Sequence, residues 1–220
     1  MKSYMRSGSR FSSPFTPNIG VPQGDVIAAI LFALFIADLP KSLLPVGPEI
    51  EINLVTCMIA YILFADDLAL LADSPENLQK QLIALQNYCE LNNLKVNIIK
   101  TKVMIFHRGR LPNLDINFTF RFNNIPIERV NSFTYLGFTF TATLSFSLHI
   151  DKIVSKARSR IGLISHKVNL KELNLELVLQ LFALYIVPIF RYGLPIWLSN
   201  HSNSAAASIN SMLTKFLRCT

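Results

Sequence analysis

Charge, cysteine and long apolar runs are all scarce in this 220-residue chain, and each shortage excludes a class of protein. Only 16% of the residues are charged while 51% are hydrophobic, and the mean hydropathy is +0.37. Such a chain can bury a sizeable core and is no disordered tail. Cysteine occurs 3 times, at Cys57, Cys89 and Cys219, too few and odd in number for a disulfide scaffold, so a reducing compartment is expected. Two apolar runs that avoid charge, Val26–Ala37 and Leu54–Ala65, hold twelve residues each, short of the roughly 20 that a spanning helix needs. No membrane partner is expected. The N-terminal segment carries Lys2, Arg6 and Arg10 but no apolar core, so it is not a secretory signal.

What charge there is has been distributed unevenly. Residues 1–24 carry three bases and no acid. Residues 25–90 carry nine acids against Lys41 and Lys80, and residues 91–110 hold five bases and no acid. Residues 111–150 balance, and 151–220 set nine bases against Asp151, Glu172 and Glu176, for a formal net charge of +7. An acidic middle between basic flanks suits a site that holds metal ions while its surroundings hold a polyanion. The plain alternative is solvated surface on a moderately basic protein.

Sequence pattern predicts a mixed chain. Asp25 caps a helix over Val26–Ala37 that ends at Asp38-Leu39-Pro40 and, being apolar on nearly every side, should be buried. Ile52–Phe64 and Leu68–Ala72 read as strands joined through Ala65-Asp66-Asp67. Ser74-Pro75-Glu76 opens a helix whose Leu78, Leu82, Leu85 and Cys89 form one stripe, ended by Asn92-Asn93. Short strands are expected at Lys95–Asn97, Val103–Phe106 and Ile116–Phe122, then a turn at Asn123-Asn124 and β-like sequence over Val130–Phe140. Helical periodicity follows around His149–Lys167 and Glu172–Ile186, and Leu177–Trp197, broken by Pro188, Tyr192-Gly193 and Pro195, reads as a helix, a turn and a second packed segment. A boundary near 145 divides an α+β part, 1–145, from an all-helical part, 146–220.

Two features carry chemistry. Adjacent acids such as Asp66-Asp67 are costly beside a core unless something positive neutralises them, and a divalent ion does so. Along a strand neighbouring side chains point to opposite faces, so both carboxylates reach one site only if the backbone turns between them. For an isolated pair, an acidic β-turn is the simpler account. The second feature, Gly20-Val21-Pro22-Gln23-Gly24, lets a ligand approach the backbone just before the free amides of a helix N-terminus. Alone it is an ordinary pre-helix turn.

Together and in order, these motifs closely resemble the reverse transcriptases of non-LTR retrotransposons, the LINE- and jockey-like elements. The resemblance rests on Gly20–Gly24 with Leu31-Phe32, Ile36 and Asp38-Leu39, then Phe64-Ala65-Asp66-Asp67, then Leu94-Lys95-Val96-Asn97 with Lys100-Thr101-Lys102, then Tyr135-Leu136-Gly137. Tyr185, Pro188, Tyr192-Gly193 and Trp197 look like the segment that follows the polymerase core in these elements. The resemblance implies an α+β fold: a partial right-hand palm, an antiparallel sheet with packed helices, over 1–145, and a helical thumb-like region over 146–220.

It also implies roles. Asp66 resembles the palm carboxylate that ligates the catalytic metals, two Mg²⁺ ions with Mn²⁺ as an alternative, and Asp67 its supporting neighbour. Pro22, Gln23 and Gly24 resemble the loop against template and incoming nucleotide, Phe64 the aromatic near the primer end, and Lys100 and Lys102 a basic motif close to the triphosphate. Tyr135, Leu136 and Gly137 resemble the primer grip. The implied partners are an RNA template, a DNA primer and dNTPs, in the nucleus or cytoplasm. Two departures stand out: Asp25 replaces the usual serine, and residues 1–24 contain no Asp or Glu, so the aspartate motif upstream of the Pro-Gln loop is missing and polymerisation by this chain alone is not expected. Lys100 and Lys102 could equally solvate a turn, and Tyr135 fill core. The leading expectation is a reverse transcriptase fragment; the others are a non-enzymatic nucleic-acid-binding remnant and a marginally folded relic with exposed sheet edges.

Overall fold

The computed structural model describes residues 4–14, 27–52, 55–109 and 118–197, with Ala207, Asn210, Ser211, Met212, Thr214 and Phe216. The chain forms two compact units, Met1–Ile98 with Phe118–Pro126 and Ile99–Asn117 with Ile127–Thr220. Helices and small, mostly antiparallel sheets alternate, an α+β composition; among the described residues the strands pair two by two.

The first unit opens with a short hairpin, β1 (Arg6–Ser7) and β2 (Arg10–Phe11). Helix α1 follows over Ala28–Phe35, and none of its residues is buried. Ile30 and Leu34 are 60% and 68% exposed, so the expectation of a helix buried on most sides does not hold: nothing among the described residues covers it. Asp38-Leu39-Pro40 both stops this helix and starts α2 (Leu39–Ser42), since proline is tolerated in a first helical turn. The stretch expected as one strand, Ile52–Phe64, breaks into β4 (Val55–Met58) and β5 (Tyr61–Phe64), and β3 (Glu49–Ile52) forms ahead of β4 where the sequence pattern reads as a loop. β3 pairs with β4, and β5 with β6 (Asp67–Leu70).

Helix α3 (Pro75–Leu91) organises this unit. Ser74 caps it by accepting from the Asn77 amide at 3.3 Å, and the apolar stripe buries Leu82, Leu85 and Cys89, with Leu78 half-buried, as its spacing predicts. Lys95–Asn97 forms no strand. Chain order then gives β7 (Lys102–Val103), part of the second unit, and the hairpin β8 (Arg121–Phe122) and β9 (Ile125–Pro126), which returns to the first. That hairpin turns at Asn123-Asn124, with φ +50° and +62°, as asparagine allows. It docks on α3 through amide side chains. Gln79 exchanges two 2.9 Å hydrogen bonds with the Arg121 backbone, and Gln86 accepts from the Asn123 amide at 3.1 Å. Tyr88, buried, donates to Asp38 Oδ1 at 2.6 Å, and burial followed by that hydrogen bond pushes the phenol up to about 12.

The second unit is built on apolar packing. β7 pairs in parallel with β10 (Glu128–Arg129), and β11 (Ser132–Tyr135) forms a hairpin with β12 (Phe138–Thr141). Helix α4 (Ser147–Lys167) buries Ile150, Ile153, Ala157, Ile161 and Ile164, one stripe at helical spacing. Against it lie α5 (Leu175–Tyr185), capped by Asn174, and the short helices α6 (Val187–Arg191) and α7 (Leu194–Trp197). Phe138, Phe182, Ile186 and Trp197 join the same core. No described helix is long and apolar enough to cross a membrane.

Candidate active site

Asp66 and Asp67 owe their placement to a hairpin whose register is Tyr61↔Leu70, Ile62↔Ala69, Leu63↔Leu68 and Phe64↔Asp67. That register leaves a two-residue loop, Ala65-Asp66. The favoured two-residue loops need a positive φ at the first central residue, where glycine is usual; here Ala65 takes φ +51°. A left-handed alanine costs about 1–2 kcal/mol, so the tip holds strain beside both acids. The expected turn therefore shifts by one residue: Asp66 sits in the loop, and Asp67 begins β6 opposite Phe64. Because the chain is still turning at Asp66, the two carboxylates escape the strict alternation of a strand. Both acids are exposed, and Phe64 is 61% exposed.

The base of this hairpin is clamped by a residue that pattern reasoning passed over. Gln81 of α3 is fully buried, and its Nε2 donates toward the carbonyls of Val46, Ala60 and Leu71 at 3.0, 3.2 and 3.3 Å. Ala60 immediately precedes β5 and Leu71 immediately follows β6, and the Leu71 amide donates to the Ala60 carbonyl at 2.8 Å. One side chain thus ties both legs of the acidic hairpin to α3 and to the 43–48 loop. Gly47 makes the close approach workable: a Cβ there would lie 2.3 Å from the Ile59 carbonyl oxygen. Gln81 had a sequence signal, a polar residue three positions beyond Leu78 and thus on the apolar stripe.

In chemical kind this pair fits magnesium, a hard cation bound by oxygen, which keeps several waters and is held through one or two carboxylates together with substrate phosphates. Among the described residues no group of three or more His, Cys, Asp or Glu could hold a metal by itself.

The remaining expected residues fall in the second unit or outside the described chain. Pro22, Gln23 and Gly24, with Asp25, lie outside the described residues. Lys100 is exposed on the turn at 98–100, whereas Lys102 in β7 pairs with Glu128 across β10 at 2.5 Å. Tyr135 closes β11, and Leu136-Gly137 forms the two-residue loop to Phe138 with φ +48° and +78°, both positive as a type I′ turn requires.

That second hairpin is fixed by its side chains. His149, 2% exposed, stacks on Phe138 with ring centroids 4.0 Å apart and accepts at Nδ1 from the Thr139 amide at 3.3 Å. Burial, and then Lys152, lowers its pKa. Lys152 donates to Thr139 Oγ1 at 3.1 Å and Thr134 Oγ1 at 3.4 Å, on the hairpin's other strand as well as its own. Lys152, Lys156 and Arg160 recur every four residues along α4, all exposed, so one face of the helix presents a basic stripe roughly 12 Å long.

Comparison with known proteins agrees with these motifs. The family model of the reverse transcriptase (RNA-dependent DNA polymerase) matches residues 1–140. The chain is 28% identical over 187 residues to the RNA-directed DNA polymerase from mobile element jockey of Drosophila melanogaster, covering 81% of this chain and 19% of that protein. It is 27% identical over 212 residues to the probable RNA-directed DNA polymerase from transposon BS of the same species, covering 90% and 22%. With the Pol polyprotein from the type-1 retrotransposable element R2 of Popillia japonica it shares 29% identity over 141 residues, covering 62% and 23%. The chain spans about a fifth of the length of these curated relatives. No solved structure matches it. The chain belongs to the reverse transcriptase family.

Proposed function

We propose that this chain is a palm and thumb segment of an RNA-directed DNA polymerase, acting on an RNA template, a DNA primer and dNTPs. The observation that supports the reading most is the acidic hairpin. Asp66 and Asp67 stand exposed at the tip of a strained turn whose base Gln81 holds rigid. In this role Asp66 and Asp67 hold the Mg²⁺ ions, which when bound lower the pKa of the primer hydroxyl and stabilise the leaving pyrophosphate. Phe64, on the strand opposite Asp67, lies against the primer end. Lys100 serves the triphosphate from its exposed turn, and Lys102 does so less directly because Glu128 occupies its ammonium. Tyr135, Leu136 and Gly137 support the primer strand, and Pro22, Gln23 and Gly24 the template and incoming nucleotide.

A second reading, a non-enzymatic nucleic-acid-binding module, is favoured by the Lys152, Lys156 and Arg160 stripe, which grips phosphate without any carboxylate. One experiment separates the two. Binding of an RNA-template/DNA-primer duplex to the 220-residue chain is measured by fluorescence anisotropy with and without Mg²⁺, in wild type and in Asp66→Asn. The polymerase reading expects Mg²⁺ to tighten wild-type binding and Asp66→Asn to abolish that response. A binding module expects salt-dependent affinity indifferent to both. Primer extension that stops on Asp66→Asn would extend the reading to activity of this chain.

A further inference from the structure

Tyr192-Gly193 has no part in the chemistry above, yet it meets the Leu136-Gly137 turn at several points. The Tyr192 hydroxyl donates to the Leu136 carbonyl oxygen at 2.5 Å, across 56 residues of sequence. Its ring approaches Gly137, where a Cβ would lie 3.5 Å from Tyr192 Cε1. Gly193, at φ +64°, presses on the hairpin so closely that a Cβ would stand 2.0 Å from Phe138 Cε2. The tether is anchored in the core, because Trp197, fully buried, donates its indole N–H to the Tyr192 carbonyl at 3.2 Å. A connected series of contacts therefore runs from the core through Tyr192 to the tip of the turn.

A type I′ turn with both central residues at positive φ is already matched to the twist of its strands and needs no outside tether in order to form. Nor does Tyr192 bury much: the residue is 57% exposed, so the contact adds little of the apolar burial that stabilises a core. What it does supply is position. We propose that Tyr192 is a positioning residue for the Tyr135-Leu136-Gly137 turn, holding it in the one orientation that receives the terminus of a nucleic-acid strand. The proposal rests on the polymerase reading, in which that turn supports the primer.

Tyr192→Phe keeps the ring and removes only the hydroxyl. Two readings are taken on the 220-residue chain. Amide hydrogen exchange at residues 135–138 reports the tether, and a fluorescent purine analogue at the 3′ end of a DNA primer annealed to an RNA template reports the strand terminus. Trp197 is the single tryptophan, and its emission checks that the core is unchanged. The expected result is exchange about fivefold faster at the turn, the change in local opening that loss of one hydrogen bond corresponds to. Duplex affinity should hold within about twofold, because phosphate contacts set it, while the terminal fluorescence signal is lost. Unchanged exchange overturns the tether. Faster exchange with an unchanged terminal signal overturns the positioning role and leaves only a structural bond. Failure of the wild-type chain to bind the duplex overturns the polymerase reading and the strand-terminal role with it, an outcome distinct from both others.

Discussion

The β5–β6 and β11–β12 hairpins share one plan, four-residue strands joined by a two-residue loop entered at positive φ, and they are held in opposite ways. The first is clamped at its base: Gln81 reaches the carbonyls just before and just after it, while the tip with Asp66 projects into solvent. The second is gripped at its tip by Tyr192 and along its face by His149 and Lys152. In the proposed polymerase role the first tip receives ions and needs open space around its carboxylates, so its support comes from below. A tip that presents backbone can be held directly. The surroundings follow the same division: amide side chains of α3 organise the first unit, and an apolar cluster the second.

The comparison breaks most readily at the two glycines where each hairpin meets its support. Gly47→Ala puts a Cβ 2.3 Å from the Ile59 carbonyl oxygen, and backbone cannot rotate aside; we expect a loss of about 3 kcal/mol or more. Gly193→Ala drives a Cβ to 2.0 Å from the Phe138 ring, which is held by its stack on His149 but can still yield a little; about 2–3 kcal/mol is expected, including the left-handed backbone. Urea unfolding of both variants tests the order, and a milder Gly47→Ala would deny that the first hairpin is held at its base.

Next in size is Gln81→Leu, close in volume, which withdraws the donor from three part-buried carbonyls and also removes an Oε1 that has no partner among the described residues. These oppose each other, so a net loss of about 1–3 kcal/mol is expected. Amide exchange should quicken at Leu71 and stay unchanged at Phe138, and equal acceleration at both would show that the clamp is not local.

The remaining effects are in pH. Burial and Lys152 keep His149 neutral, its pKa below the ordinary 6.5. The unfolded chain therefore takes up the proton first, and the stability it contributes is whole above about pH 6.5 and lost as pH falls through the folded value. Tyr88 behaves in the opposite sense: raised from 10.0 to about 12, it holds its proton longer in the fold, so its contribution is whole below about pH 10 and lost between there and about pH 12. Trp197 emission in denaturant at about pH 5 and pH 7 should show the acid effect, abolished in His149→Gln. Amide exchange in α3 should show the alkaline one.

How far this was legible in the sequence varied with the range of the interaction concerned. Ser74-Pro75-Glu76 and the Leu82, Leu85, Cys89 stripe located α3 because capping and amphipathic period are local. The Asn123-Asn124 turn was equally plain, since asparagine tolerates positive φ. The strand at Lys95–Asn97 failed because extended sequence becomes a strand only if another strand lies alongside. The burial of the helix at 28–35 failed for the same kind of reason: an apolar surface says that a partner is wanted, not where it is. At the acidic site the pair of carboxylates and their turn were readable, but a shift of one residue moved Asp67 into the strand.

The sequence alone determined the family, because Phe64-Ala65-Asp66-Asp67 and the motifs around it are contiguous strings whose order carries the information. Tertiary structure alone decided how those strings are held. Gln81 lies 21 residues from Ala60, and Tyr192 lies 56 from Leu136. No local propensity links residues so far apart; only the packing of α3 on its loops, and of Trp197 in its core, brings a donor within reach of a particular carbonyl.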